Sequence, residues 1–173
     1  MNGPSTSAPA PSTHIFVHEL RRQRTGSKVR FLCYLREYDA AKGQLLVEHA
    51  YPHDATEPAR ASIDVNMVLE TARRDLMTDG RWLNVIGYVL SGPQEKKRKS
   101  TNAGNAQSTS KEVPLPIVQA VLLWDAGAIN VDEYERVLQK HMEVRAQARV
   151  MLDNACKAEA RKEQEKKATI PKP

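Results

Sequence analysis

The chain has 173 residues, 40% of them apolar and 27% charged, which suffices for one compact domain with appendages. No window holds about 18 consecutive apolar residues, so no membrane-spanning helix and no membrane partner are expected, and "MNGPSTSAPAPST" lacks the basic-then-apolar order of a secretory signal. The net charge of +5 and isoelectric point near 9.3 permit a polyanionic partner, while 5% aromatic residues is low for a protein that stacks many bases.

Residues 1–13 read as a disordered Pro/Ser/Thr/Ala tail that cannot bury enough surface to order itself. In "HIFVHELRRQRT", Ile15, Phe16, Val17 and Leu20 can pack on a domain edge. Next, "GSKVRFLCYLREYD" alternates. Val29, Phe31, Cys33 and Leu35 share one face, and Arg30, Leu32, Tyr34 and Arg36 share the other. A one-residue slip would invert those faces. "DAAKG" is a turn, "QLLVEHAY" (44–51) a second strand, "PHDATEP" a loop, and "ARASIDV" (59–65) a third strand with Ala61, Ile63 and Val65 inward.

The period then changes. Val68, Leu69, Ala72 and Leu76 in "NMVLETARRDL" have helical spacing, with Asn66 as N-cap, so a helix is expected over 66–76. "RWLNVIGYVL" (81–90) is a fourth strand, and its Gly87 marks a bend or a close backbone approach. Residues 91–112 are poor in apolar side chains and read as a flexible loop. "VPLPIVQAVLLWDAG" (113–127) is a fifth strand. Asn130 and Glu133 form a capping-box pattern that opens a helix over 128–156, and its interrupted apolar stripe fades into a charged tail over 157–173.

Three strands, a helix, two strands and a final helix is the order of the OB-fold: a mainly β, five-stranded Greek-key barrel (here 14–127) with a helix between strands three and four and a C-terminal helix. OB barrels commonly bind oligonucleotides. Candidate nucleic-acid contacts are therefore Arg30, Tyr34 and Arg36 on the first strand, Trp82 and Tyr88 on the fourth, and Lys96, Lys97 and Arg98 in the loop. Trp82 and Tyr88 can stack bases, or Trp82 can pack under a loop. "KKRK" (96–99) can contact phosphate, serve as a nuclear import signal, or simply be a solvated charge run. Two stacked bases contribute roughly 2–6 kcal/mol, and a millimolar Kd already requires about 4 kcal/mol, so weak binding to single strands is expected.

Cys33 and Cys156 are far apart and form no CxxC pair, so neither a disulfide framework nor zinc is implied; Cys33 reads as a buried small hydrophobe. His14/His18 and His49/His53 have i,i+4 spacing but no evident third ligand. No phosphate loop, nucleophile elbow or paired-carboxylate arrangement appears, so no enzyme activity and no cofactor are expected.

The segments "GSKVRFLCYLREYD…GQLLVEH", "ASIDVNMVLE", "GRWLNVIGYV" and "VPLPIVQAVLLWDAGAINVDEYERVL" together resemble the small OB-fold (Ten-type) subunit of the CST telomere-capping complex, in a fungal form, over about Leu20 to Arg145. The resemblance implies a non-catalytic nuclear subunit at telomeres. It would pair with the Stn-type OB subunit, assemble with a larger OB subunit, and bind single-stranded telomeric DNA weakly on its own. It also implies a partner face on the last helix, carried by Tyr134, Val137, Leu138, His141, Met142 and Arg145, with Tyr134 and Met142 as anchors. The helix is more apolar than one small barrel can cover, which points the same way. The small subunit of a replication protein A-like complex has the same arrangement and remains an alternative, as does an OB adaptor that binds only protein.

Overall fold

Alternation of apolar and polar side chains sets the sheet. A computed structural model describes residues 11–72, 74–91 and 114–168 of the chain, and these fall into two units, 1–129 and 130–173. The first unit holds six strands: β1 (Thr13–His14), β2 (Lys28–Asp39), β3 (Gln44–His49), β4 (Ala59–Asp64), β5 (Trp82–Ser91) and β6 (Ile117–Asp125). Their order is β1-β2-β3-β4-β6-β5, and a further β2–β5 pairing closes the sheet. All contacts along β2–β6 are antiparallel except the parallel β4–β6 pair, where Ile63 faces Val118. This closed Greek-key order is the OB-fold.

The sheet has six strands where five were expected, because Thr13 and His14 add a two-residue parallel pairing beside Val29 and Arg30. A strand that short leaves no alternation to read. After it, a 3₁₀ turn over Val17–Arg22 packs Val17 and Leu20 into the core. The core face of β2 is the expected one: Val29, Phe31, Cys33 and Leu35 are fully buried, together with Leu45, Val47, Ala61, Ile63, Val65, Leu83, Val85 and Val118.

The helix expected over 66–76 is not an α-helix among the described residues. The segment is a series of turns followed by a 3₁₀ helix at Arg74–Met77. The reason lies at Asn66. Its amide nitrogen donates to the Lys42 carbonyl at 3.1 Å and to Asp64 Oδ1 at 2.8 Å, which holds the side chain with Oδ1 against Gly43 rather than over the N–H groups that an N-cap oxygen would accept. The backbone then closes i→i−3 bonds, Val68 N–H to Val65 O and Thr71 N–H to Val68 O, and Ala72 N–H donates to Val68 O in an i→i−4 bond. Val68 and Leu76 still reach the core, whereas Leu69 is exposed and Ala72 only half-buried, so two of the four apolar positions face inward without an α-helix.

Two glycines are required by their surroundings. Gly43, at φ +63° in the β2–β3 turn, leaves the space that Asn66 fills. Gly87 sits beside the β5–β6 irregularity, where a Cβ would run into the Gln119 carbonyl oxygen and lie 2.7 Å from Val118 Cγ1. This is the close backbone approach anticipated for it.

The second unit is one helix, α1 (Val131–Ala168), of 38 residues. Asn130 Oδ1 accepts the Glu133 N–H at 3.1 Å, and Asp132 and Glu133 occupy the first turn, where carboxylates suit the helix dipole. The helix does not stop near residue 156, because the Ala, Glu, Lys, Gln and Arg that follow are strong helix formers. Among the described residues, no helix is long and apolar enough to cross a membrane.

Two outcomes follow from this packing. Gly87→Ala should lower stability to urea by about 1–3 kcal/mol, since backbone and not a flexible side chain blocks the added methyl; an unchanged midpoint would contradict the close approach. Burial pushes the Cys33 thiol well above its ordinary range, whereas Cys156 is exposed. Thiol titration of the native chain should therefore show one fast-reacting cysteine, and two after unfolding.

Candidate functional site

Pairing register places the candidate residues of the barrel. On the non-core face of β2, Arg30, Leu32 and Tyr34 stand opposite Ile86, Asn84 and Trp82 of β5, and Asn84 and Ile86 in turn face Trp124 and Leu122 of β6. Tyr34 and Trp82 meet edge-on with ring centroids 5.6 Å apart. The Arg30 guanidinium lies 5.4 Å over the Trp124 ring, a cation–π contact that stabilises by about 0.5–2 kcal/mol depending on burial. Between these pairs, Leu32 and Asn84 are buried, so the middle of the face is not open to solvent.

The other two barrel candidates lie apart. Arg36 falls at the irregularity of β2 between Leu35 and Glu37, and its Nε is 3.5 Å from Glu48 Oε1. Glu48 is shared with Arg60, again at 3.5 Å, so one carboxylate sits between two exposed guanidinium groups and the patch stays positive. Exposed ion pairs of this kind add about 0–1 kcal/mol and leave the arginines free to exchange partners. Tyr88 is at the other end of the face, opposite Lys28 and Gln119, and is exposed. Beside it β5 and β6 present Leu90, Val121 and Leu122, the last two about half exposed at 50% and 52%. Val121 is the residue that the β5–β6 register skips, which the sequence pattern did not reveal. Lys96, Lys97 and Arg98 lie outside the described residues.

A ring cluster also escaped the sequence reading. Phe16 stacks on Tyr51 at 4.0 Å and on His18 at 5.7 Å; His49 meets Phe16 at 5.9 Å and Trp82 at 5.3 Å; His53 meets Tyr51 at 5.6 Å. Its signal was present in "HIFVH" and "HAYPH", where each histidine pair brackets an aromatic residue. The imidazoles pack on rings, which links Trp82 to the N-terminal segment.

On α1 the six proposed partner residues divide. Tyr134, Leu138 and Met142, four residues apart, are half-buried or buried, with Leu138 only 1% exposed. Val137, His141 and Arg145 are exposed, and Val144 joins them.

Comparison with known proteins decides what these features belong to. The family model described as telomere capping, CST complex subunit (Ten1) matches residues 4–139. The chain belongs to the Ten1 family. It is thus a Ten-type subunit of the telomere-capping CST complex. In fold it is similar to the crystal structure of the telomere capping protein Ten1 from S. pombe, with 19% identity, a TM-score of 0.53, and coverage of 77% of this chain and 99% of that one. It is similar also to a chain of the S. pombe Stn1–Ten1 complex, with 19% identity, a TM-score of 0.54, and coverage of 79% and 96%. Among curated proteins there is no significant match.

Because Trp82 holds both Tyr34 and His49, Trp82→Ala should cost about 3–5 kcal/mol in urea unfolding, and Trp82→Phe much less. Equal stability of Trp82→Ala and the parent chain would remove the indole from the packing.

Proposed function

We propose that this chain is a non-catalytic pairing subunit. It joins an Stn1-type OB subunit, and through it a larger OB subunit, to hold single-stranded telomeric DNA at chromosome ends in the nucleus. The observation that carries this reading is the exposure of the large apolar side chains Tyr88, Leu90, Val121 and Leu122 on the paired strands β5 and β6. Several large apolar side chains left exposed on neighbouring strands suit a protein partner. Family membership supplies the complex, and the S. pombe Stn1–Ten1 structure supplies the class of partner.

The helix face proposed for the partner runs over Tyr134, Val137, Leu138, His141, Met142 and Arg145. Val137 and Val144 are the apolar side chains of that region open to another chain. A standard interface removes ~1,600 Å² from solvent, and a few central residues dominate its energy. Direct DNA contact is a smaller contribution. Arg36 and Tyr88 are exposed and suited to phosphate and base, while Arg30, Tyr34 and Trp82 shape the sheet between them.

The test is co-purification with an Stn1-type partner. Leu122→Glu and Val137→Glu should each weaken assembly by roughly 30-fold, the effect of losing about 2 kcal/mol at a hot spot. Circular dichroism should remain that of the parent chain. Undiminished co-elution of both folded variants would reject these surfaces as the pairing face.

A further inference from the structure

The positive charge of this chain is concentrated in one place. Of its 26 lysines and arginines, six (Arg21, Arg22, Arg24, Lys28, Arg30 and Arg36) lie between Leu20 and Arg36, and none of its 21 acidic residues does. The rest of the chain therefore holds 20 cations against 21 acids, so this one segment carries the whole positive excess. Arg30 and Arg36 are engaged, with the Trp124 ring and with Glu48. The other four are not: among the described residues, none of Arg21, Arg22, Arg24 and Lys28 has an ion-pair partner. Glu19, the acid just before them, accepts the Phe16 N–H at 3.4 Å.

The fold holds these four side chains in a fixed row. Arg21 and Arg22 end the 3₁₀ turn over Val17–Arg22 and are exposed, as is Arg24. The link to β2 is tied down: Gly26 N–H donates to Val89 O at 2.7 Å, Val89 N–H to Ser27 O at 3.0 Å, and Ser27 N–H to Arg24 O at 3.0 Å. Lys28 then opens β2 opposite Tyr88. The strands that flank this end of β2 bring no carboxylate, since neither β5 (Trp82–Ser91) nor β1 (Thr13–His14) contains an acidic residue.

The form of the row selects its ligand. Arg21 and Lys28 stand up to roughly 20 Å apart along the chain, at about 2–3.3 Å per residue, so the charges are strung out rather than gathered around one small anion. Arg21 to Lys28 contains no apolar side chain, whereas the centre of a protein interface is apolar and depleted of charge. Three of the four cations are arginines, whose planar forks match phosphate oxygens. A row of cations without an apolar anchor suits a phosphodiester backbone.

We propose that Arg21, Arg22, Arg24 and Lys28 bind the backbone of single-stranded DNA. The identity of the strand rests on the DNA-holding role proposed above. The row borders the β5 side chains assigned to the protein partner but includes none of them.

The test is anisotropy of labelled oligothymidylate with the isolated full chain, as salt rises from about 0.05 to about 0.2 M. Each phosphate contact on a single strand adds about −0.7 to the slope of log K against log salt. Arg21→Gln with Arg22→Gln and Arg24→Gln should therefore flatten the slope by about 2 and weaken binding at about 0.05 M roughly tenfold or more. Lysine at the same three positions should keep the slope. Lys140→Gln with Arg149→Gln and Lys157→Gln, which removes equal charge from exposed positions of α1, should leave slope and affinity at the parent values. An unchanged slope in the first variant would overturn the proposal. So would an equal loss in the α1 variant, which would make net charge the cause. A glutamate homopeptide of matched charge that binds as tightly as the oligonucleotide would also overturn it, by making acidic protein the ligand. Strand binding by the assembly with an Stn1-type partner is measured beside it. An assembly whose salt slope is the same with parent and first variant sinks this site alone, whereas a parent assembly that binds no strand sinks the DNA-holding role itself.

Discussion

One strand makes the barrel. β2 pairs through Lys28–Tyr34 with β5, through Tyr34–Asp39 with β3 and at Val29 and Arg30 with the short β1, so a single run of twelve residues serves as the neighbour of three strands. Its ladder shifts between Leu35 and Glu37, where Leu35 N–H bonds to Arg81 O and its carbonyl accepts from Gly80 N–H. That irregularity bends the strand, as bulges do. Closure through β2–β5 pairs most of the strand length that would otherwise invite pairing with another sheet. It also explains the unusual charge of β2. Arg30 lies over Trp124, Tyr34 packs on Trp82, Arg36 occupies the bend beside Glu48, and Tyr38 packs against the core.

This arrangement limits what the barrel can do alone. Leu32 and Asn84 are buried in the middle of the face that carries Arg30, Tyr34 and Trp82, so those side chains are engaged with protein rather than displayed along a groove. The exposed apolar residues of β5 and β6 and the valines of α1 suit protein partners better than phosphates. In this Ten-type subunit the exposed apolar side chains are thus the part of the surface most available to other chains.

Much of this was legible from residue types. The alternation of Val29, Phe31, Cys33 and Leu35 gave the right face of β2, and the order of strands gave the barrel. The Asn130–Glu133 spacing gave the start of α1. The misses have physical causes. Asn66 reads as a helix cap, but its amide nitrogen donates to Asp64 two residues before it and to the Lys42 carbonyl in the β2–β3 turn, which holds the side chain against Gly43. The two-residue β1 exists only because β2 offers an edge beside it. The ring cluster is only half visible in sequence: Phe16–His18 and Tyr51–His53 are near neighbours, whereas His49 meets Trp82 from a strand more than thirty residues away. α1 outruns its apolar stripe because the Ala, Glu, Lys, Gln and Arg of the charged tail are themselves strong helix formers, a signal that hydrophobic periodicity does not carry.

The most direct measurement is fluorescence anisotropy of a single-stranded telomeric oligonucleotide titrated with the isolated chain at physiological salt. If the chain acts through protein pairing, binding stays at about millimolar or weaker, as one or two stacked bases allow. Micromolar or tighter binding that is lost on replacing Arg36 and Tyr88 would contradict the account and make this subunit a strand-binding protein in its own right.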